Sequence, residues 1–247
     1  MLYAVIGEKY KPLLDSGLSK AGITPLWLPD NPDVSHALCG HADLSVFCPY
    51  TVYGNNDRKN TLFLAPYLKD SAFAETLKAA GADVRFINSR QGSVYPKVVL
   101  LNAKTSGNRV FLNRKTIAVE ILDYISASNH LSAVNINQGY SACCTLDCRG
   151  RIITSDNGIY SAAKASGSEA VFITPGFISL PGYSYGFIGG SAFMICPDCI
   201  GFTGSLDKHP DREIILSSLK RWNIRYIFLS DKPIFDIGGA IIINNSP

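Results

Sequence analysis

No stretch of this 247-residue sequence approaches the ~18–20 consecutive apolar residues that a membrane-crossing helix needs. Charge is also scarce. Asp, Glu, Lys and Arg make up 17% of the chain, and the formal net charge is only +3. The basic residues are scattered, with no run longer than adjacent pairs such as those in "DRK" at 57–59 and "NRK" at 113–115. They give no electrostatic footprint for nucleic acid. The opening "MLYAVIGEKYK" has no basic leader, and its apolar run is too short for an export signal. Seven cysteines are an odd number, and two of them adjoin. In a chain of this size that favours free thiols over a disulfide framework. The expectation is a cytoplasmic protein that binds neither membrane nor nucleic acid. "GFIGG" does not fit a phosphate-binding glycine motif in register, and no cofactor is expected.

What the chain does have is material for a core, with 47% hydrophobic residues, a globular rather than a disordered profile. It also has a repeat. Five segments read as helix, short loop, apolar strand, with the strands at Ile23 to Leu28, Asp83 to Ile87, Ser132 to Ile136, Ala170 to Ile173 and Arg225 to Leu229. Before the third of these, Ile117, Ile121, Leu122 and Ile125 recur at the spacing of a one-sided helix.

The stretches before the helices read as hairpins. "VVLLNAKTSGNRVFLN" turns at Ser-Gly-Asn, "SACCTLDCRGRIITSD" at Arg-Gly, and "GGSAFMICPDCIGFTG" at Pro197-Asp198, where Pro fixes the first central φ. The unit is therefore strand-strand-helix-strand. The first copy lacks a strand, and the tail "GGAIIIN" (Gly238 to Asn244) is a spare one. Closing the tail onto the head would remove exposed sheet edges. An open doubly wound sheet is the competing arrangement, but hairpins within each unit do not suit an all-parallel sheet. The predicted fold is α/β, a propeller of five ββαβ units in a closed pseudo-fivefold ring, with residues 1–247 forming one domain.

Such a ring resembles the pentein fold of the guanidino-group-modifying enzymes, the arginine deiminase and dimethylargininase group. "NQGYSACCTLDCRGRIITSDNGI" and "LPGYSYGFIGG" look more specifically like an uncharacterised bacterial family of that fold. The resemblance implies a cysteine thiolate attacking a guanidinium carbon, a histidine as general acid and base, and carboxylates gripping the cation. It also implies a nucleophile near the C-terminus. Gly238-Gly239 match the glycines that precede it, but 241–243 are isoleucines. The Phe-x-Arg-Asp and Glu-Gly-Gly-Asp signatures of arginine deiminases are missing too.

The candidate residues follow from these patterns. His41-Ala42-Asp43 is expected to open the first strand of unit two. Residues two apart share a strand face, so His41 and Asp43 would both face the ring's centre, or else form a local surface pair. "GYSACCTL" resembles the segment around the pentein nucleophile, displaced by one unit. Strand neighbours face opposite ways, so one of Cys143 and Cys144 would point into a site, unless both are small buried hydrophobes. Cys196 and Cys199 could be half a zinc site, but they flank the Pro-Asp turn and are read as part of a hairpin, with no metal. Tyr183, Tyr185 and Gly189, in a glycine-rich run, suit either a ligand loop or core packing. Asp236, in "FDIGG", is a candidate ligand carboxylate. Two functions remain open. One is a protein binding a small guanidino or amidino ligand in the central channel without the usual nucleophile. The other is a cysteine-dependent hydrolase or amidinotransferase using Cys143 or Cys144 with His41.

Overall fold

The computed structural model describes residues 2–53 and 60–244; the "DRK" stretch at 57–59 lies outside them. The chain begins with β1 (Leu2–Gly7), α1 (Lys11–Lys20) and β2 (Thr24–Leu28). A second group follows: α2 (Ala42–Ser45), β3 (Val46–Phe47), β4 (Asn60–Leu64), α3 (Ala72–Ala79) and β5 (Ala82–Phe86). The third comprises β6 (Lys104–Ser106), β7 (Arg109–Leu112), α4 (Val119–Ser126) and β8 (Ser132–Asn135). The fourth is α5 (Ser141–Cys144), β9 (Thr145–Cys148), β10 (Arg151–Thr154), α6 (Asn157–Ala165) and β11 (Ala170–Phe172). The fifth is α7 (Ile188–Ser191), β12 (Ala192–Cys196), β13 (Cys199–Phe202), α8 (Arg212–Arg221) and β14 (Arg225–Phe228), after which only β15 (Ile241–Asn244) remains.

The strands form five three-stranded sheets of one design. A central strand (β1, β4, β7, β10 or β13) pairs antiparallel on one side and parallel on the other. The parallel partner follows in sequence, so a helix must carry the chain across. In four of the five sheets, all but that of β15, β1 and β2, burial falls from the antiparallel edge to the parallel one. All four residues of β9 and the first four of β12 are buried, whereas β8, β11 and β14 have no buried residue. In those four sheets the antiparallel partner is therefore the innermost strand, and β15 holds the equivalent place beside β1. Each crossover helix buries the same i, i+4 pair: Leu14 and Leu18, Phe73 and Leu77, Ile121 and Ile125, Ile159 and Ala163, Ile215 and Leu219. That pair is the apolar stripe a helix needs to lie on a sheet.

The tail completes the first unit. β15 lies antiparallel to β1, the head-to-tail closure expected from sequence, and the register sets Tyr3 opposite Ile243 and Val5 opposite Ile241. Contacts between units then run round a centre and return to their start. Asp43 donates its backbone N–H to Gly238 O at 3.0 Å. Asn102 Nδ2 donates to Asp43 O at 3.2 Å, and Ala142 N donates to Asn102 Oδ1 at 2.7 Å. Gly189 sits against the carbonyls of Ala142 and Cys143, and Gly239 N donates to Gly190 O at 2.9 Å.

One sequence expectation is corrected. His41-Ala42-Asp43, the Cys143-Cys144 pair and the "GGS" of the fifth unit do not begin strands. They occupy one-turn helices (α2, α5, α7) or their flanks, and the hairpin strands start only at Val46, Thr145 and Ala192. Likewise Gly238-Gly239 precede β15 rather than lie in it, both with positive φ. A single turn buried on every side is too short to show a 3.6-residue period, so an apolar, small-residue sequence reads as strand.

Ile243 is 1% exposed and packs with Val5, Leu28 and Leu62. Ile243→Ala is expected to cost about 2–4 kcal/mol in urea unfolding. A loss well under ~1 kcal/mol would mean that the tail strand is not part of the core.

Candidate functional site

The turns that precede the innermost strands all end at the centre of the ring; four of the five bring side chains there, and the fifth, α7, brings Gly189 and Gly190. His41, flanking the first turn of α2, and Asp43 within it come from the second unit. Asn102, ahead of β6, comes from the third. Cys143 comes from α5, and Asp236 from the segment that leads to the tail strand. Asp236 is fixed by two backbone donors, Phe187 N to Oδ2 and Gly238 N to Oδ1, both at 2.8 Å. Two glycines make room for it. A Cβ on Gly190 would lie 1.9 Å from Asp236 Oδ1. Gly238, at φ +71°, would bring a Cβ within 2.4 Å of His41 Cβ, so neither space nor backbone permits a side chain there.

Cys143 Sγ donates to Asp43 Oδ2 at 2.8 Å and receives Asn102 Nδ2 at 3.3 Å. His41 Nδ1 lies 4.0 Å from Asp236 Oδ1. A donor atom from each of His41, Asp43 and Cys143 falls within 4.8 Å of the others. Among the described residues this is the one such cluster. Its nitrogen, oxygen and sulfur donors are types that zinc accepts, with a fourth position left for another ligand.

These groups are dry. His41 and Asp236 are 1% exposed, Cys143 4% and Asp43 5%. Burial pushes His41 down to about 3, with the positive Lys9 adding to the effect, so the imidazole is neutral. Burial pushes Asp43 up to about 7, against the opposing hydrogen bond from Cys143, and the charge of Asp236 adds to the rise. Asp236 rises to about 6 for the same first reason, opposed by its two backbone donors. Burial, then the charges of Asp43 and Asp236, hold the Cys143 thiol well above its ordinary value. Both His41 nitrogens and Asp43 Oδ1 have no hydrogen-bond partner. Three orphaned polar atoms at one buried spot are costly unless something binds there.

A cavity of about 280 Å³ is lined by His41, Cys143 and Asp236 at one end and by Leu180, Tyr183 and Tyr185 among others. It is near the lower limit of ligand-pocket sizes, roughly 300–1,000 Å³. Asp43 lies behind Cys143 and borders a separate cavity of about 80 Å³, as does Gly189. The sequence-predicted residues thus divide. His41, Cys143, Tyr183, Tyr185 and Asp236 line one pocket, and Asp43 touches it through Cys143. Gly189 instead serves a close backbone contact. Cys144, left inseparable from Cys143 by the sequence, packs with Phe111, Ile136, Ile152 and Ile159 and is no part of the pocket. Adjacent residues in a helical turn point about 100° apart, which is why only one reaches the cavity. Cys196 and Cys199 face each other across the Pro197-Asp198 turn, and Cys196 Sγ donates to Asp198 Oδ1 at 3.0 Å.

Asn102, Tyr140 and Phe187 were missed. Asn102 carried a signal: it occupies the place in the third unit that Asp43 and Cys143 occupy in theirs. Tyr140 and Phe187 carried none beyond being aromatic.

Five ββαβ units about a common centre, with a pocket at that centre, make this a pentein-type α/β propeller. The chain belongs to the "Family of unknown function (DUF6873)", whose model matches residues 5–241. None of the curated proteins matches the sequence. Among solved structures, SxtG, an amidinotransferase from Microseira wollei in the saxitoxin biosynthetic pathway, aligns at a TM-score of 0.49 and 11% identity, over 95% of this chain and 93% of its own. Inosamine-phosphate amidinotransferase StrB1 from Streptomyces griseus aligns at 0.48 and 10%, over 96% and 90%.

A group whose folded pKa is raised adds stability fully present below its unfolded pKa and lost as pH rises through the folded one. For Asp43 that window runs from about 4 to about 7. Asp43→Asn retains an acceptor for the thiol but carries no charge. Its stability relative to the parent should therefore climb from pH 5 to pH 8, on the order of 1 kcal/mol per pH unit within the window, read from melting curves. A constant difference would contradict the raised pKa.

Proposed function

We propose that this protein is a cysteine-dependent enzyme acting on a small guanidino or amidino compound, with Cys143 as nucleophile. The supporting observation is convergence: a thiol, a neutral imidazole and a buried carboxylate line one largely apolar cavity, and a second carboxylate holds the thiol. A planar amidinium supplies N–H donors, which are what the site lacks. Asp236 retains a free lone pair on each oxygen for such donors, and the cation's charge favours the thiolate that burial alone disfavours.

In the first half-reaction the Cys143 sulfur bonds to the amidine carbon, and the bond from that carbon to the leaving nitrogen breaks. The thiol proton passes to Asp43 and from there, by way of the neutral His41, whose ring nitrogen lies within 4.8 Å of the carboxylate, to the leaving amine. The balance is one thiol and one guanidinium giving one S-linked amidinium and one free amine, with no net change of charge. Water or an acceptor amine then releases the group and restores the thiol. The nucleophile in this reading sits in the fourth unit, where the resemblance would place it on the tail strand.

A non-catalytic binding protein is favoured by two features: the isoleucines at 241–243 and the raised thiol pKa in the free protein. Alkylation separates the two. Chloroacetamidine, a cationic electrophile, should modify Cys143 at least tenfold faster than neutral chloroacetamide at pH 7.5, as mapped by peptide mass spectrometry. The other six thiols should show no such preference, and Cys143→Ser should abolish it. Equal rates for the two reagents at Cys143 would overturn the enzyme reading. A zinc ion in the site would instead protect Cys143 from both reagents until a chelator was added.

A further inference from the structure

We infer that the amidino compound taken by this pocket bears an uncharged apolar tail rather than the carboxylate of an amino acid; the inference rests on the reading just given. An amino-acid substrate needs a cation to hold its carboxylate, and among the described residues no Lys or Arg lines the cavity. Of the nearby cations, Lys104 lines the separate small cavity on the Asp43 side, and Lys9 is committed elsewhere. Its Nζ donates to Ala37 O at 2.8 Å and lies 5.1 Å from the Tyr10 ring. The charge already present is negative: Asp236 lines the pocket and Asp43 lies behind Cys143. A substrate carboxylate would add a third anion to a dry site, where repulsion is poorly screened.

The wall leading outward from the reactive end is instead leucine and aromatic: Leu38, Leu180, Tyr183, Tyr185 and Phe187. Tyr183 is 50% exposed and Tyr185 38%, and Tyr185 sits edge-on to Phe187 with ring centroids 5.7 Å apart. Large aromatic faces left open to water at a pocket mouth gain by covering an apolar group. The polar atoms of that wall are the neutral hydroxyls of three tyrosines and Ser184, which do not select for an anion. An alkyl- or arylalkyl-guanidine meets both ends: its amidinium at Asp236 and Cys143, its tail against the rings.

The test is protection of Cys143 from chloroacetamidine by n-butylguanidine, by guanidine and by L-arginine. Butylguanidine should protect at a concentration at least tenfold below that of arginine. Tyr183→Ala removes a half-exposed ring, so it should fold. It should raise the butylguanidine concentration needed several-fold and leave that of guanidine itself unchanged. Protection by arginine at an equal or lower concentration, or equal effects of Tyr183→Ala on both guanidines, would overturn the apolar-tail assignment while the enzyme reading stands. Loss of the amidine preference in the labelling itself would sink the parent reading instead.

Discussion

The account depends on one hydrogen bond in one place: the Cys143 thiol donating to Asp43 at 2.8 Å, with Asp236 lining the same pocket. Two carboxylates held away from water would ordinarily be paired or replaced, because an isolated buried charge is among the costliest features a fold can retain. Here they are met by backbone N–H groups, an amide and a thiol, and the nearest imidazole is kept neutral. The raised values of Asp43 and Asp236 record that cost. A site that concentrates negative potential, orphaned acceptors and a thiol in an apolar cavity has the features associated with function rather than with stability.

The ring is what makes the juxtaposition possible. Each unit delivers the turn before its innermost strand to the same centre, so residues about 40 to 100 positions apart in sequence become neighbours. Asn102 to Cys143 and Cys143 to Asp43 are both contacts between units. The central turns are braced by backbone hydrogen bonds to Gly238 and Gly190, so the positions of the reactive groups are set by the scaffold rather than by loops. The mouth differs. Its wall comes from the stretch around Tyr183 to Phe187, where side chains are half exposed, and specificity is more readily altered there than chemistry.

Much of this was legible in the sequence. The repeat showed because each helix must bury one i, i+4 pair and each strand is short and bounded by turn residues. The surplus strand at the tail predicted its closure onto the first strand. His41, Asp43 and Asp236 stood out as polar residues at inner strand ends. What sequence did not give was local geometry near the centre. The "HAD", "SACC" and "IGGS" stretches are single helical turns buried on all sides, and the strand alternation assumed for them does not hold. That error left Cys143 and Cys144 inseparable, whereas the helical turn sends one to the pocket and the other to the core. Asp43 was expected to grip a ligand and instead backs the thiol. The aromatic mouth could not be assembled from sequence, since Leu38, Tyr140 and Tyr183 meet only in the closed ring.

The central claim is that, among the described residues, no Lys or Arg lines the pocket beside Asp236 and that a small amidinium supplies the missing cation. Calorimetric titration of n-butylguanidine between pH 5 and pH 8 addresses it most directly. Because Asp236 must ionise to hold the cation, and an ionised Asp43 behind Cys143 adds to the attraction, affinity should rise with pH through the range of about 6 to 7, with protons released on binding. An affinity that is flat across that range, or that strengthens toward acid, would contradict the account.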